Sequence, residues 1–581
     1  MSEPVCDVLT IECDVLVVGG GLAAASAVMH AMEQGVRVCM AVKGRFGAVG
    51  QRGAGASSCG TTYHGSPRVP GPHRPGGYEA EQEYGRIVTA GLGMVDRTLA
   101  QALVEGAEEL GEAVSRWGVV WGKRGPVGLG YPIVSTLERF IRRAGVEIFE
   151  NTMVADLLVH EGRCVGAVAV QEAGGAGRSG SMIVFRSSAV VLATGGDAEL
   201  FRHNVHPPCV TGDGYAMALR AGASLMNMEF MQIFFCTPFP TKNLYHVWHG
   251  TELGRVRNRD GREFLADYLP EGITVHECVE ENLRHAPFST RDRASRYLAV
   301  GMVREIQAGR GTEAAGVLLD PDPPAGLMER EQQRFLLYRG VDITGTIQLT
   351  MGHQCSNGGL RIGADAMSTL PGLFAAGEAS TGMHGADRIG GNMLACCLVF
   401  GAIAGRSAAD WSRSHGSPVE SGASGRARTD RLTAMLSSPA SAGSAAGDRL
   451  AAMRAGLQQE AWYSALTVRT EQGLTRMLDV LGSLKSELAE LGGVGDVSTL
   501  IRALELENLL LVGEAVARAA LLRKESRGGH YREDFPAMST AQPPEAHLVR
   551  WDEEERLRVD AVPVDPEWTA DMLSIEGGRW G

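Results

Sequence analysis

The first clear pattern along the chain is a short apolar, β-branched run, Cys13 to Gly20 ("CDVLVVGG"), which has the composition of a buried strand. "GLAAASAVMHAMEQG" follows with helical spacing and closes on Gly35, and "VRVCMAV" then reads as a second strand. The order is strand–helix–strand. Further on, residues 148–192 alternate apolar and polar positions around two turn signals, "EGRC" and "GGAGRSG", which predicts hairpins leading into the buried run "AVVLATGG". Residues 66–77 are a loop on proline content, and residues 412–447, rich in Ser, Ala and Gly, read as a flexible linker. From about 449 to 525 the spacing is helical and Leu-rich, and the tail from about 546 reads as short strands or an extended arm. No internal repeat is visible.

Composition narrows the class. At 581 residues, 44% of them apolar, the chain has the make-up of a globular protein of two to four domains. The formal net charge is −13, which argues against a nucleic-acid partner. Eleven cysteines without a Cys-x-x-Cys pair give no zinc or iron–sulfur signature, so no metal site is expected. The N-terminus lacks a signal-peptide layout and no apolar run approaches a membrane span, so a cytoplasmic location is the expectation.

The candidate chemistry starts at the first turn. Gly19-x-Gly21-x-x-Ala24 stands between strand and helix, where glycines allow a tight turn and let a pyrophosphate sit on the helix N-terminus. The alternative is a purely structural turn. The second strand should end near an acid that holds a ribose. It ends instead at Ala41-Val42-Lys43, so the ribose contact comes from elsewhere or is absent, and Lys43 is the candidate at that position. Gly195-Gly196, after a second buried strand, marks a second place where backbone approaches a cofactor. The stretch "TGMHGADRIGGNMLACCLVFGAIAG" sets Asp387 and Arg388 among glycines just ahead of an apolar helix. Charged residues there need a reason, since they are rarely buried unless paired.

Taken in order, "DVLVVGGGLAAASAVMHAMEQG", "VVLATGG", "TGDGYAMALRAGA", "MEFMQ", "STRDRASR", "LPGLFAAGE", "HGADRIGGNMLACCLVFG" and "ESRGGHYREDFP" resemble the flavoprotein subunits of succinate dehydrogenase and fumarate reductase. L-Aspartate oxidase and the adenylylsulfate reductase flavoprotein are relatives in the same superfamily. The resemblance runs from residue 12 to about 540. It implies an α/β fold with α+β parts: a glutathione-reductase-like Rossmann FAD domain from residues 1–228 and 346–411, and an inserted capping domain, 229–345. The 412–447 linker, a helical domain over 448–545 and a tail over 546–581 complete the expected order.

The resemblance also implies roles. FAD would extend from Gly19, Gly21 and Ala24 past Thr194, Gly195 and Asp213, with Glu378 approaching the ribityl chain and Asn392 and Leu394 at the ring edge. Met393 replaces the family's serine. The loop Gly44 to Gly60 lacks the histidine that bonds FAD in membrane-bound relatives, so FAD is expected to be non-covalent. Arg388 matches the arginine that clamps a substrate carboxylate, the alternative being a salt bridge to Asp387. Arg291 matches the proton shuttle, with Glu252 and Arg255 as its relay and Thr251 as a donor to the substrate, the alternative being a surface charge cluster. The substrate histidine of the His-Tyr-x-Met-Gly-Gly motif is matched either by His353, displaced by one residue, or by Gln354, with His353 taken first. A second family histidine is replaced by Phe234 or Phe239, depending on the direction of counting. Phenylalanine cannot hydrogen-bond a carboxylate, and an unpaired buried carboxylate is costly. The implied substrate is therefore a carboxylate other than plain succinate, fumarate or aspartate. The segment after "WGVVWGKRGP" is shorter than in relatives, which argues against L-aspartate oxidase itself.

Three functions remain open at this stage. The first is an FAD enzyme that desaturates a carboxylate or reduces an enoate, with another electron carrier or O₂ closing the cycle. The second is the catalytic subunit of a complex with an iron–sulfur partner, of the adenylylsulfate reductase type, or an amino-acid oxidase. The third is a flavin-binding module without catalysis.

Overall fold

The computed structural model describes residues 7–47, 79–118, 130–172, 180–242, 244–245, 251–284, 293–322, 327–420, 422–436, 443–540, 543–552, 554 and 556–564. The strand–helix–strand unit is present as Asp7–Val18, Leu22–Met32 and Val38–Ala41. The first strand starts earlier than its apolar run because Asp7–Cys13 pairs in parallel with Ser181–Ser187, which extends the ladder outward. The central sheet runs Glu147–Phe149, Val38–Ala41, Asp7–Val18, Ser181–Leu192, Arg163–Gln171, Thr152–His160. Its first four strands are parallel and the last two antiparallel, which confirms the hairpins read from the alternating segment. Leu373–Ala375 adds in parallel to the C-terminal end of Ser181–Leu192 and so brings the second sequence segment back to the first.

The helix Asn392–His415 lies against Leu22–Met32. Small residues permit the approach. A Cβ on Gly401 would stand 2.6 Å from Ala23 O, and one on Gly405 would stand 2.2 Å from Ala27 O. Ser26 Oγ donates to Leu398 O at 2.7 Å, giving a buried hydroxyl its partner. By length and composition Asn392–His415 could cross a membrane, contrary to the sequence expectation that no apolar run qualifies. Of its apolar window 78% is buried inside the protein, so that apolar surface is spent on the core.

A second, antiparallel sheet orders Val317–Leu319, Ile347–Ser356, Met231–Thr237 and Leu244–Tyr245. Ile347–Ser356 was expected in the FAD segment starting at 346. It pairs instead with the capping strands on both sides and carries that sheet past the expected boundary. The expected flexible linker is also corrected. Residues 412–447 continue the helix to His415 and then form Gly422–Leu436 and the start of Gly443–Ala461. Ala- and Arg-rich stretches there favour helix, and Leu432 and Leu436 are buried in the core. The helices Glu471–Ala489 and Val497–Leu522 complete the helical region. The tail forms the hairpin Glu545–Trp551 and Leu557–Pro563 on Leu225–Met226, the short strands expected of it.

Candidate functional site

A cleft enclosing about 1000 Å³ of empty space, open solvent included, is lined by the N-terminal turns of two helices. At one end lie Gly19, Gly20 and Gly21 ahead of Leu22–Met32; at the other lie Met393 and Leu394 in the first turn of Asn392–His415. Each N-terminus offers unpaired N–H groups and partial positive charge. Gly19 has φ +128°, and a Cβ there would stand 2.2 Å from Ala193 O, so only glycine lets the two strand ends meet. Gly21 caps the helix with nothing within 4 Å of a notional Cβ, so its open side faces the space a pyrophosphate needs.

Of the residues expected to hold FAD, Gly19, Gly21, Lys43, Thr194, Gly195, Asp213, Glu378 and Leu394 line this cavity. Ala24 and Asn392 do not. Ala24 is fully buried in the helix core and Asn392 is buried behind its neighbours. Thr194 Oγ1, on the cavity wall, is buried without a protein partner, as expected where a polar ligand supplies one. The cavity, its glycine turn and this orphaned hydroxyl fit FAD.

Lys43 reaches the cavity, yet its ammonium is already satisfied. It donates to Thr211 Oγ1 at 2.6 Å and Asp213 Oδ2 at 2.7 Å, and it pairs with Glu505 Oε1 at 2.8 Å. Burial opposes the charge, but the Asp213 and Glu505 carboxylates outweigh it and hold the lysine pKa above its usual value. The ribose acid missing from this strand therefore has no simple substitute in the Lys43 ammonium. Asp213 also accepts from Thr211 and Asn508, each at 2.8 Å.

Beside the cavity, the loop carrying Asp387 and Arg388 is fully enclosed. Asp387 Oδ1 accepts from Gln232 Nε2 at 2.6 Å, and Gln232 also donates to Arg388 O at 2.7 Å. The Arg388 guanidinium donates to Ile389 O and to Gln354 Oε1, both at 3.0 Å, while its Nε has no partner. Among the described residues no carboxylate lies within salt-bridge distance of Arg388. The alternative of an Asp387 salt bridge is thus not what the loop forms. His384, on the same loop, is buried with both ring nitrogens unpartnered; burial, with Arg388 nearby, pushes its pKa down to about 3, so it stays neutral.

Gln354, rather than His353, touches Arg388. His353 is wholly enclosed by protein, stacked on Phe201 at 5.2 Å. Its Nε2 lies 2.9 Å from Ser356 Oγ, which donates to Asp197 Oδ1 at 2.5 Å. Since the hydroxyl gives its only proton to Asp197, it accepts from His353 Nε2–H, and Nδ1 is left a bare acceptor without a partner. Burial, and then His206, lowers the His353 pKa well below the usual value. The placement of His353 as a carboxylate ligand is corrected by this enclosure. The physical reason is the strand register: a bulge between His353 and Cys355 re-aims the chain, so that Gln354 meets Arg388. His206, which lines the cavity, binds Gln354 O through Nε2 at 2.6 Å.

Phe234 is buried on Met231–Thr237, two residues from Gln232 and so on the same face of the strand. Phe239 is 56% exposed in the turn beyond that strand, which removes it from the candidate pocket. Arg291 lies outside the described residues, as does the side chain of Thr251. Glu252 is buried on the turn Thr251–Arg255, its pKa raised by burial first. Arg255 is about half exposed and pairs with Asp322 at 2.6 Å. Asp197, Ser356 and Asp322 carried no sequence signal, because their partners are distant in sequence.

Comparison with known proteins agrees with this geometry. A family model described as FAD binding domain matches residues 14–394, and one described as fumarate reductase flavoprotein C-term matches 454–573. The chain is 30% identical over 570 residues to one of the subunits of the fumarate reductase (CoM/CoB) of Methanothermobacter marburgensis, covering 90% of this chain and 95% of that one. It is 31% identical over 431 residues to L-aspartate oxidase of Caulobacter vibrioides, covering 71% and 69%. Among solved structures, Mycobacterium smegmatis Sdh1 in complex with UQ1 superposes with a TM-score of 0.77 at 27% identity, covering 96% and 94%.

Two predictions come from the site. Gly21→Val should fold, since its Cβ meets no protein atom, but should lose most bound FAD. Full flavin-to-protein stoichiometry in purified Gly21→Val, with a wild-type circular dichroism spectrum, would refute this placement. The second concerns Asp197, whose pKa burial pushes up to about 6, with the Glu378 charge adding to it against the Ser356 hydrogen bond. A raised carboxyl pKa favours the native state below the unfolded value near 4, and that stability is lost as pH rises through about 6. Asp197→Asn should therefore gain stability relative to wild type above pH 6, on the order of 2 kcal/mol, with the gap closing below about pH 4. Thermal unfolding of both proteins across pH 4–8 measures it; a gap independent of pH sinks the assignment.

Proposed function

The chain belongs to the FAD-dependent flavoprotein family of fumarate reductases and succinate dehydrogenases, and on that premise we propose that it moves hydride between FAD and a carboxylate whose far end is apolar. The enzyme class, FAD-dependent oxidoreductase, follows from the family. The observation that carries the substrate class is the buried cation Arg388, whose loop is tied by Gln232 to a strand that carries the buried, apolar Phe234 two residues on. Arg388 is a buried cation with a free Nε and no carboxylate partner among the described residues, held in place by Gln354. A guanidinium suits one carboxylate bidentately. Phe234 shares the strand face of Gln232, whose amide holds the Arg388 loop, and supports an apolar wall where a second carboxylate would need a donor.

When bound, FAD supplies the hydride chemistry itself. The chain's own residues divide the remaining work. Arg388 holds the carboxylate, Gln354 keeps the guanidinium aimed, and Phe234 excludes water. Glu252, buried with a raised pKa, is the proposed proton source behind Arg291. FAD is proposed to be non-covalent, since residues 44–60 contain no histidine. A second reading adds an electron-carrying partner of the iron–sulfur type. It draws support from the fumarate reductase relatives, which are themselves subunits of larger enzymes.

Two tests follow. Acid precipitation should leave all the flavin in the supernatant; colour in the washed pellet refutes non-covalent binding. In an anaerobic screen of flavin reduction and reoxidation, hydrocinnamate and trans-cinnamate should outpace succinate, fumarate and L-aspartate. Arg388→Ala should raise KM roughly 10–100-fold, the loss expected for charged hydrogen bonds, and Phe234→His should shift preference toward fumarate. Dicarboxylates reacting faster in the wild type would overturn the substrate class.

A further inference from the structure

The strand Ile347–Ser356 pairs with Met231–Thr237 as far as His353 opposite Ile233 and resumes at Cys355 opposite Gln232, so Gln354 is the bulge residue and has no partner in that register. A bulge leaves the extra residue outside the ladder. The segment His203–His206 takes up its carbonyl. His353 N donates to His203 O at 2.9 Å and Val205 N donates to His353 O at 3.0 Å, which lays the segment beside the strand. The His206 ring then reaches Gln354 O through Nε2 at 2.6 Å. A carbonyl only accepts, so Nε2 carries the proton. The ring is held from its own backbone. His206 N donates to Asn204 Oδ1 at 3.0 Å, Asn204 Nδ2 donates to Glu199 Oε1 at 3.2 Å, and Pro207 restricts the conformations open to the residue before it. His206 also lines the FAD cavity, beside Pro207 and Val210. At its other end Gln354 accepts from Arg388 Nη2 through Oε1 at 3.0 Å. The bulge residue is thus held by its main chain from the cavity wall, and its side chain holds the buried guanidinium.

We infer that His206 is a positioning residue that joins the cofactor to the carboxylate clamp: bound FAD packs against the His206 ring, and the ring, through Gln354, fixes the Arg388 guanidinium. The inference rests on the proposed reading that Arg388 holds a carboxylate. The path is two hydrogen bonds with one residue between them, from Nε2–H to Gln354 O and from Arg388 Nη2–H to Gln354 Oε1. No ladder partner on Met231–Thr237 backs up the first bond, so without the His206 donor the bulge residue can turn and carry its amide away from Arg388. Gln232 holds the Arg388 carbonyl, which fixes the loop rather than the guanidinium. Ile389 O alone would leave the guanidinium a single acceptor to pivot on, and Gln354 supplies the second that sets the direction of the fork. His206 moves no proton and no electron in this role.

Variants of the full chain separate the links, with circular dichroism and thermal midpoint as controls for folding. His206→Phe keeps a ring on the cavity wall without the donor, His206→Gln keeps a donor, and Gln354→Ala and Arg388→Ala remove the later links. Carboxylate affinity is read from the flavin difference spectrum as oxidised holoenzyme is titrated with trans-cinnamate and, separately, with fumarate, neither of which an oxidised flavin can reduce. His206→Phe should weaken binding about three- to tenfold, the worth of one neutral hydrogen bond, and His206→Gln should recover most of it. His206→Phe combined with Gln354→Ala should bind no more weakly than Gln354→Ala alone, because the two residues act in series. A second arm needs no carboxylate: titration of apoprotein with FAD, read by quenching of flavin fluorescence. His206→Ala should weaken FAD about tenfold, for the lost packing of a ring, and His206→Phe by less. If neither carboxylate binds the wild type, or Arg388→Ala binds both as the wild type does, the reading of the clamp fails. With the clamp intact, wild-type carboxylate affinity in His206→Phe, additive losses in the double variant or wild-type FAD affinity in His206→Ala overturns the inference alone.

Discussion

The buried guanidinium of Arg388 is the constraint around which the rest of this structure is arranged. Taking a cation out of water costs several kcal/mol unless it is paired and hydrogen-bonded. Here two neutral oxygens, Ile389 O and Gln354 Oε1, supply only part of that compensation. The remainder is secured by rigidity. Gln232 ties Asp387 and the Arg388 carbonyl to the capping strand. Gly529 N donates to Ala386 O at 2.9 Å, and a Cβ on Gly528 would stand 2.3 Å from that same oxygen, so the C-terminal region closes over the loop from behind. The loop cannot relax its charge toward solvent, and Nε keeps its proton without a protein acceptor.

This arrangement also explains how Gln354 works in a position where the resemblance implies a histidine. A neutral amide accepts from the guanidinium and adds no charge, so Arg388 is hydrogen-bonded without being neutralised. Behind it, His353 is buried and held neutral while Ser356 and Asp197 take up its polarity. The strand Ile347–Ser356 thus carries both the contact to Arg388 and an enclosed hydrogen-bonded chain.

Much of the fold was legible in local signals. The glycine turn, the paired hairpins and the buried strand before Thr194 all announced themselves through periodicity and glycine placement, since each depends on neighbours in sequence. The misreadings have physical causes as well. Residues 412–447 read as linker on composition, but alanine and arginine favour helix wherever Leu432 and Leu436 can find a core. Phe239 looked equivalent to Phe234 because counting along a chain cannot see that one sits in a strand and the other in an exposed turn. His353 was preferred to Gln354 because a β-bulge leaves no mark in residue type. Asp197 and Asp322 stayed invisible because their chemistry comes from partners more than sixty residues away.

The lysine at the end of the second strand bears on how the chain is made. Lys43 emerges from the ribosome early, whereas Glu505, which completes its ion pair, belongs to the last long helix. Until Val497–Leu522 exists and docks, Lys43 and Asp213 share one wall of the cavity without that brace. Contacts of such sequence separation carry a large loop-closure cost and form late. The nucleotide end of the cavity is thus braced only once Val497–Leu522 has docked, which ties the dinucleotide-binding half to the C-terminal helices.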